Sequence, residues 1–132
     1  MYKKTMTYTD YDGNTRTDDF YFNLTKAELV EMEMSVSGGM QQMLERVMKD
    51  HDGKRIMETI KDLILRSYGE KSSDGKRFVK TAEMRDTFVQ TEAYSDLFME
   101  LVTDAEKAAE FVNGIVPKEV AEQAKALSAP TA

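Results

Sequence analysis

Residues 91–114, TEAYSDLFMELVTDAEKAAEFVNG, read as two consecutive helices. Thr91 is a typical N-cap for the first helix. The apolar side chains of that helix recur every three or four residues and so form one stripe: Tyr94, Leu97, Phe98, Leu101 and Val102. Thr103 followed by Glu106 has the spacing of a capping box, which predicts a bend and a second helix that ends near Gly114. The stripe indicates that the first helix packs on the core of a helical domain.

Some apolar side chains fall outside such stripes, and these are our candidates for contact with a partner. Met99 lies roughly 100° or more around its helix from the stripe centre. Phe111 lies beside a face of small side chains that predicts a close helix contact: Ala105, Ala108, Ala109 and Val112. The complete candidate set is Leu29, Met32, Met57, Leu65, Met99 and Phe111. For each residue taken singly, burial in a compact small domain is the alternative.

Two further helices are predicted between residues 25 and 51. Thr25 with Glu28 forms a capping-box pattern that opens a short helix to about Met34. That helix is apolar on two faces, with Ala27, Val30 and Met34 on one side and Leu29 and Met32 on the other. Ser37-Gly38-Gly39 then interrupts the pattern, and helical spacing returns over 40–51.

The longest helix is predicted over 54–68, with Gly69 as its stop and a stripe at Ile56, Ile60, Leu63 and Ile64. Residues 69–80, GEKSSDGKRFVK, are polar and rich in turn-forming residues, so we expect a loop there. Thr81 then caps another helix, which bears Met84 and Phe88. Pro117 suits the first turn of a final helix.

The first 24 residues alternate apolar and polar side chains, which predicts a β-hairpin. A two-residue turn at Asp12-Gly13 would put the apolar sets of the two strands on opposite faces. A three-residue loop over 12–14 instead sets Met6 opposite Phe20 and gives one apolar face. We favour the three-residue loop, and we expect its apolar face to pack on helices because an isolated hairpin is marginally stable.

These elements predict a mainly α fold of the α+β class in one domain. The β-hairpin of residues 1–24 packs on a bundle of about five to six short helices over residues 25–127, and residues 128–132 form a frayed tail. A chain of 132 residues buries about two-thirds of its unfolded surface, enough for a core without covalent staples.

Composition argues against several classes of function. The chain has no cysteine, which excludes disulfides, thiolate metal sites and cysteine nucleophiles. Its net charge of −6 is opposite to that of a nucleic-acid binder. No segment approaches the roughly 18 consecutive apolar residues of a membrane span, and no secretion signal opens the chain. We therefore expect a soluble protein that stays in the cytoplasm, away from membranes and nucleic acids.

The sequence offers no candidate catalytic, cofactor-binding or metal-binding residue. His51 is the only histidine and lies at a predicted helix end, where it interacts with the helix dipole. The acidic runs before Gly13 and Gly53 lack the spacing of a calcium loop. Gly38-Gly39 follows a helix rather than a strand, so it does not read as a phosphate cradle. We expect a protein that is not an enzyme and takes no cofactor.

Two compositional features point to protein partners. The ten methionines supply flexible apolar side chains of the kind used on adaptable binding surfaces. The segment from Ala82 to Glu106 holds only Arg85 as a cation against seven carboxylates: Glu83, Asp86, Glu92, Asp96, Glu100, Asp104 and Glu106. Such a charge run is typical of a solvated helix face, and a basic partner surface is the other reading.

In their order along the chain, three segments resemble the tail assembly chaperones of long-tailed bacteriophages. They are LTKAELVEMEMS at 24–35, GKRIMETIKDLILRSYGEKSSDGKRF at 53–78 and TEAYSDLFMELVTDAEKAAEFVNGIVP at 91–117. The likeness covers about residues 20–117 and is strongest at 68–78 and 91–101. It is a likeness of whole segments and carries no catalytic motif.

The resemblance implies a non-catalytic role in phage tail assembly. Such a chaperone binds the helical, apolar tape-measure protein in the host cytoplasm, keeps it soluble and helps tail tube subunits polymerise around it. Family members are generally absent from the finished virion, and many are also made in a longer, frameshifted form. The implied partners are the tape-measure protein, the tail tube protein and that longer form, with a homo-oligomer as a further candidate.

Two rival functions stay open at the level of sequence. One is a structural component of the phage virion, such as a tail or connector subunit. The other is a small acidic regulator of a host protein, which would use residues 82–106 against a basic surface. Apolar recognition survives high salt and fails when Met32, Met57 or Met99 becomes charged, whereas electrostatic recognition fails in moderate salt.

Overall fold

The computed structural model describes residues 1–35 and 53–117 of the chain. In order, the elements are β1 (Tyr2–Thr9), β2 (Thr15–Phe22), α1 (Lys26–Ser35), α2 (Gly53–Ser67), β3 (Tyr68–Lys71), β4 (Phe78–Val79), α3 (Ala82–Val89), α4 (Glu92–Thr103) and α5 (Ala105–Ile115). The strands form an antiparallel sheet in the order β1-β2-β3-β4. The described residues thus have a mixed α+β fold. The predicted break at 37–39, the helix over 40–51, His51, the helix after Pro117 and the tail lie outside them.

The N-terminal hairpin has the predicted single apolar face but a different register. Met6 lies opposite Asp18 rather than Phe20, so the predicted pairing is wrong by two residues. The loop has three residues, as expected, but it spans 11–13, because the backbone N–H of Asp10 closes the ladder on the carbonyl of Asn14 at 2.9 Å. Moving the loop by one residue shifts the pairing by two and preserves the faces.

Asp10 is the residue that sets this register. Its carboxylate accepts the backbone N–H groups of Asp12 and Asn14 at 3.0 and 2.9 Å, an Asx-type turn that begins two positions before the predicted loop. The same carboxylate pairs with Arg16 at 2.5 Å. Gly13 follows with φ +84°, the left-handed conformation that closes a three-residue hairpin loop.

Residues 69–80 do not form the predicted loop. Tyr68–Lys71 and Phe78–Val79 pair as a second hairpin, and α2 therefore runs directly into β3 at Ser67. Gly69 is consequently a strand residue rather than a helix stop. The turn between the strands is built on Asp74, whose carboxylate accepts the hydroxyl of Ser72 and the backbone N–H of Lys76.

The local capping signals are confirmed at three helix starts. The backbone N–H of Glu28 donates to the Thr25 hydroxyl at 3.1 Å, and the N–H of Thr25 donates to the Glu28 carboxylate at 3.0 Å. This reciprocal pair is the predicted capping box. The hydroxyls of Thr81 and Thr91 each accept the N–H of the residue three positions further on.

The start of α5 corrects one prediction. Thr103 and Glu106 do not form a capping box; Asp104 is the N-cap, and its carboxylate accepts the N–H groups of Glu106 and Lys107 at 3.0 and 3.2 Å. Thr103 is the last residue of α4, so its hydroxyl donates instead to the carbonyl of Met99 at 2.6 Å. The predicted bend between the helices is therefore present one residue later.

One hydrophobic core joins the hairpin to the helices. Helix α4 packs against α2, α3, α5 and β1, with Leu97 and Leu101 buried as predicted, and Ala93 buried beside them. The largest fully buried apolar side chains are Phe22, Phe88, Phe111, Leu24, Leu63, Ile64, Leu97 and Ile115. Burial of one such side chain contributes about 1.5–3 kcal/mol, against about 0–1 kcal/mol for an exposed ion pair. The core therefore determines how the elements pack.

Candidate functional site

Met99 and Met57 are the predicted partner-binding residues that lie on the surface. The Met99 side chain is 53% exposed on α4, and the Met57 side chain is 45% exposed on α2. Leu65, on the back of the α2 stripe, is half-buried. Two long apolar side chains of this exposure are candidates for contact with another protein, because methionine adapts its shape to a partner surface.

Leu29 and Phe111 are buried, which corrects the helical-wheel prediction that placed them off the core. Phe111 is 1% exposed and packs edge-on against the rings of Tyr2 and Phe22, with centroids 5.6 and 5.2 Å apart. The buried face of α5 is Ala108, Phe111 and Ile115, while Ala105 and Ala109 are exposed. The prediction centred this face on the alanines, although the bulky side chains determine which face turns inward. The side chain of Met32 lies outside the described residues.

Half-buried aromatic rings extend from the hairpin to α4. Phe20 lies 6.2 Å from Tyr8 and 5.3 Å from Phe88, and Tyr94 lies 5.6 Å from Phe88 and 6.1 Å from Phe98, all between ring centroids. We call these five residues the aromatic row. Phe88 is fully buried, whereas the other four are half-buried and pack against the core. Of these five residues, Tyr94 and Phe98 were predicted from the sequence as part of a core stripe and not as a surface.

Carboxylates lie beside the hairpin end of the aromatic row. The Tyr8 hydroxyl donates to the Asp18 carboxylate at 2.6 Å, and this bond raises the pKa of Tyr8. Desolvation, followed by the nearby Glu92 carboxylate, raises the pKa of Tyr11. The exposed ring edges are therefore bordered by negative charge, which complements a basic rather than an acidic partner.

One carboxylate of the acidic segment is neutralised by two lysines. Glu100 lies 2.8 Å from the Lys4 ammonium and 3.1 Å from the Lys107 ammonium. Burial alone would raise the pKa of Glu100, but the two ammonium groups outweigh it and hold the pKa below its usual value. Four others are exposed: Glu83, Asp86, Asp96 and Glu106. The helices thus present a negative outer surface next to the apolar side chains.

A cleft of about 560 Å³ lies between β2 and β3. The two strands pair only at Tyr21 with Gly69 and at Phe22 with Tyr68, and β3 then pairs with β4 instead. The cleft is lined by Asp18, Asp19, Phe20, Tyr21, Tyr68, Gly69, Glu70 and Lys71. The cleft does not follow from the sequence prediction, in which residues 69–80 form a loop. Asp74-Gly75 between two short runs was the available hairpin signal.

Residues 1–35 and 53–117 contain no group of three or more acidic, histidine or cysteine side chains that could hold a metal ion. Within these same ranges, no helix is long and apolar enough to cross a membrane.

Comparison with known proteins assigns the chain to a family. No curated protein and no solved structure matches it. A family model described as phage tail assembly chaperone matches residues 1–132, the whole chain. That match extends the segment likeness over the hairpin and the C-terminal end. The chain belongs to the phage tail assembly chaperone family.

Proposed function

We propose that this chain binds the tape-measure protein of its phage, keeps it soluble and assists assembly of the tail tube, without catalysing a reaction. The observation that carries the proposal is the family match over residues 1–132. A tape-measure protein is long and largely helical, and its apolar stripes are exposed until the tube forms around it. A protein that covers those stripes for a limited time would prevent aggregation.

The surface of the described residues suits such transient binding. Met57 and Met99 present flexible apolar side chains on two different helices. The partner-binding set proposed here is Met57, Leu65 and Met99, with Met32 on α1 included from its sequence position. Leu29 and Phe111 contribute to the fold that holds these helices rather than to the exposed surface.

Avidity and charge complete the proposed mechanism. Several weak apolar contacts along an elongated client combine into stable binding without a deep pocket. The net charge of −6 keeps the complex soluble, because like-charged complexes repel each other. We also propose that the chain acts in the host cytoplasm, is absent from the mature virion, and contacts the tail tube protein and a longer frameshifted form of itself. A homo-oligomer belongs to the same proposal.

Co-expression tests the function directly. The tape-measure protein encoded by the same phage is produced alone, with this chain, and with an unrelated acidic protein of similar size. The proposal expects the tape-measure protein in the soluble fraction only with this chain, and the two should co-purify. An insoluble tape-measure protein in the presence of the chain, or a soluble one that never co-purifies with it, would sink the proposal.

The composition of purified phage particles separates the chaperone from a virion subunit. Mass spectrometry of assembled particles should detect the tape-measure and tube proteins but not this chain. A stoichiometric amount of the chain in the particles would favour a structural tail component instead.

A further inference from the structure

One edge of strand β2 is only partly paired within the described residues. β1 covers one side of β2 over its full length, from Thr15 to Phe22. On the other side, β3 covers only Tyr21 and Phe22, because it then diverges toward β4. Residues 15–20 of β2 are therefore not paired on the side of the cleft by any strand of residues 1–35 and 53–117.

The hydrogen-bonding groups on that edge follow from the ladder. The N–H of Asp10 donates to the carbonyl of Asn14 on the β1 side, and the N–H of Asn23 donates to the carbonyl of Ser67 on the β3 side. In an antiparallel sheet, backbone groups of successive residues point to opposite edges. Both hydrogen bonds give the same result. The backbone N–H and C=O groups of even-numbered β2 residues point to β1, and those of odd-numbered residues point away from it.

Within the part of the chain that the structure describes, three residues consequently have backbone groups at this open edge with no strand partner. They are Thr15, Thr17 and Asp19, and the side chains of all three are exposed. An extended segment of about five or six residues would span this edge, since a strand rises about 3.3 Å per residue. Main-chain hydrogen bonds to an exposed edge are a recurrent mode of peptide recognition.

The two faces of β2 specify the side chains that such a segment would carry. Phe20 lies on the core face, and Tyr68 flanks it from β3 on the same side, so apolar side chains fit that face. Asp19 lies on the outer face, where its carboxylate accepts the Thr5 hydroxyl at 2.6 Å and lies 3.7 Å from the Lys3 ammonium. By the same alternation Asp18 and Glu70 share the face of Phe20 and Tyr68, and Lys71 shares the face of Asp19, so the cleft lining as a whole holds three carboxylates and one lysine. The cleft therefore favours a segment that combines apolar and basic residues.

We propose that the open edge of β2 receives an extended, basic and apolar segment of a partner protein, which adds as a further strand beside Thr15–Asp19. This inference rests on the proposed function, in that the segment belongs to the tape-measure client. A second copy of the chain fits less well. Two chains of net charge −6 repel each other, and the hairpin of the second copy would collide with β3 at Gly69.

Thr7 and Thr17 provide a matched pair of variants. They lie directly opposite each other, and neither backbone N–H belongs to the β1–β2 ladder, because both residues are odd-numbered. Their hydroxyls share one hydrogen bond at 2.9 Å, which either substitution removes. Thr17→Pro deletes a donor from the proposed edge, whereas Thr7→Pro deletes one from the outer edge of β1. Proline is tolerated in a strand where its missing N–H faces outward.

The probe is a fluorescein-labelled peptide of three Lys-Val repeats, and its affinity is measured by fluorescence anisotropy. We expect the peptide to bind the wild type and Thr7→Pro with affinities within about twofold of each other. Binding to Thr17→Pro should be about tenfold weaker, because that variant loses a main-chain hydrogen bond and places the proline ring at the edge. A peptide of three Glu-Val repeats should not bind. Absence of Lys-Val binding, equal loss in both proline variants, or greater loss in Thr7→Pro would overturn the proposal.

Glu70→Lys keeps the test decisive if a proline variant fails to fold. The Glu70 side chain is exposed and its substitution leaves the β1–β2 ladder intact. Reversing its charge should weaken the Lys-Val peptide about two- to fivefold, the range of an exposed ion pair. Unchanged Lys-Val affinity would count against the cleft. Thr17→Pro that dissolves a homo-oligomer without changing peptide affinity would assign the edge to a second copy and overturn the proposal.

The co-expression assay separates this inference from the proposed function. A soluble, co-purifying tape-measure protein together with no Lys-Val binding overturns the strand-addition site and leaves the function standing. Lys-Val binding together with an insoluble tape-measure protein overturns the function, and with it the assignment of the segment to that client.

Discussion

Gly69 of β3 lies against the backbone of β4 and has no room for a side chain. A Cβ atom placed there would lie 2.6 Å from the carbonyl oxygen of Val79 and 2.7 Å from the Phe78 ring. The carbonyl belongs to the paired backbone and cannot move aside without opening the hairpin. The glycine is thus required by close approach of the backbone and not by an unusual conformation.

Gly69→Ala should lower the free energy of unfolding by about 1–3 kcal/mol, the usual cost of forcing extra volume into a packed site. Gly53→Ala is the matched control, since a Cβ at Gly53, the first residue of α2, meets no atom within 4 Å. We expect that control to be neutral or slightly stabilising. Urea unfolding of the two variants measures the difference, and equal stability would contradict the close approach.

Glu28 is the residue whose charge ties α1 to the segment after β4. Its carboxylate lies 2.6 Å from the Lys80 ammonium and also accepts the N–H of Thr25. Burial raises the pKa of Glu28, but Lys80 and Thr25 together lower it by more, so the pKa lies below its usual value. A depressed pKa means that the folded state favours the charged carboxylate.

Glu28→Gln should therefore cost most stability at neutral pH. The ion pair contributes fully above the unfolded-state pKa of about 4.3 and is lost as the pH falls through the lower folded-state pKa. We expect the variant to be about 0.5–1 kcal/mol less stable than the wild type at pH 7. Urea unfolding at pH 7 and pH 3 should show this gap closing in acid. Exposed Glu31→Gln on the same helix is the control, and a gap that persists at pH 3 would contradict the ion pair.

Helix starts show which elements can be predicted from sequence. The caps at Thr25, Thr81 and Thr91 were predicted because each bond joins residues three apart and depends on little else. Between α4 and α5, Thr103 and Asp104 both suit an N-cap. In the structure α4 extends through Thr103, so Asp104 is the first non-helical residue and becomes the N-cap of α5.

Asp104→Ala should destabilise the fold by about 1 kcal/mol, the usual cost of removing an N-cap. Thr103→Ala should cost less, because the Thr103 hydroxyl only adds a second donor to the carbonyl of Met99. Thermal unfolding of the two variants compares the positions directly. A larger loss for Thr103→Ala would restore the capping box that the sequence predicted.

The strands were less predictable than the helices, for a physical reason. Alternation over residues 2–24 determines which side chains share a face, but the register depends on where the turn begins, and the Asp10 side chain decides that. β4 has only two residues, too short for any alternation to show. The second hairpin is stabilised by Tyr68 stacking on Phe88 at 4.2 Å, a contact between elements that sequence spacing does not reveal.

At the scale of the whole molecule, apolar side chains divide into a core and an exposed set. The sequence predicted most of the core stripes and the outward positions of Met57 and Met99. It misplaced Leu29 and Phe111, because a wheel for one helix contains no information about the neighbouring elements. Phe111 turns inward since Tyr2 and Phe22 of the hairpin form a site for its ring. The proposed client-binding surface is what the core leaves uncovered.

The central claim is that exposed methionines bind the tape-measure protein, and the affinity of the purified complex tests it most directly. Competition titration against the co-purified complex, in which the wild-type chain keeps the tape-measure protein soluble, would compare the wild type, the Met57→Glu/Met99→Glu double variant and a Thr87→Glu/Asn113→Glu control. The control adds the same two charges at exposed polar positions of α3 and α5. Each protein is titrated at about 0.15 and 1 M NaCl, which shortens the screening length from about 8 to 3 Å.

We expect the wild type and the control to bind within about threefold of each other and to retain binding at high salt, because apolar contacts are not screened. The methionine double variant should bind at least about tenfold more weakly. A loss of about 1.4 kcal/mol in binding free energy corresponds to tenfold, and burial of two methionine side chains contributes at least that much. Wild-type binding abolished at high salt, or a double variant that binds as tightly as the control, would contradict the account.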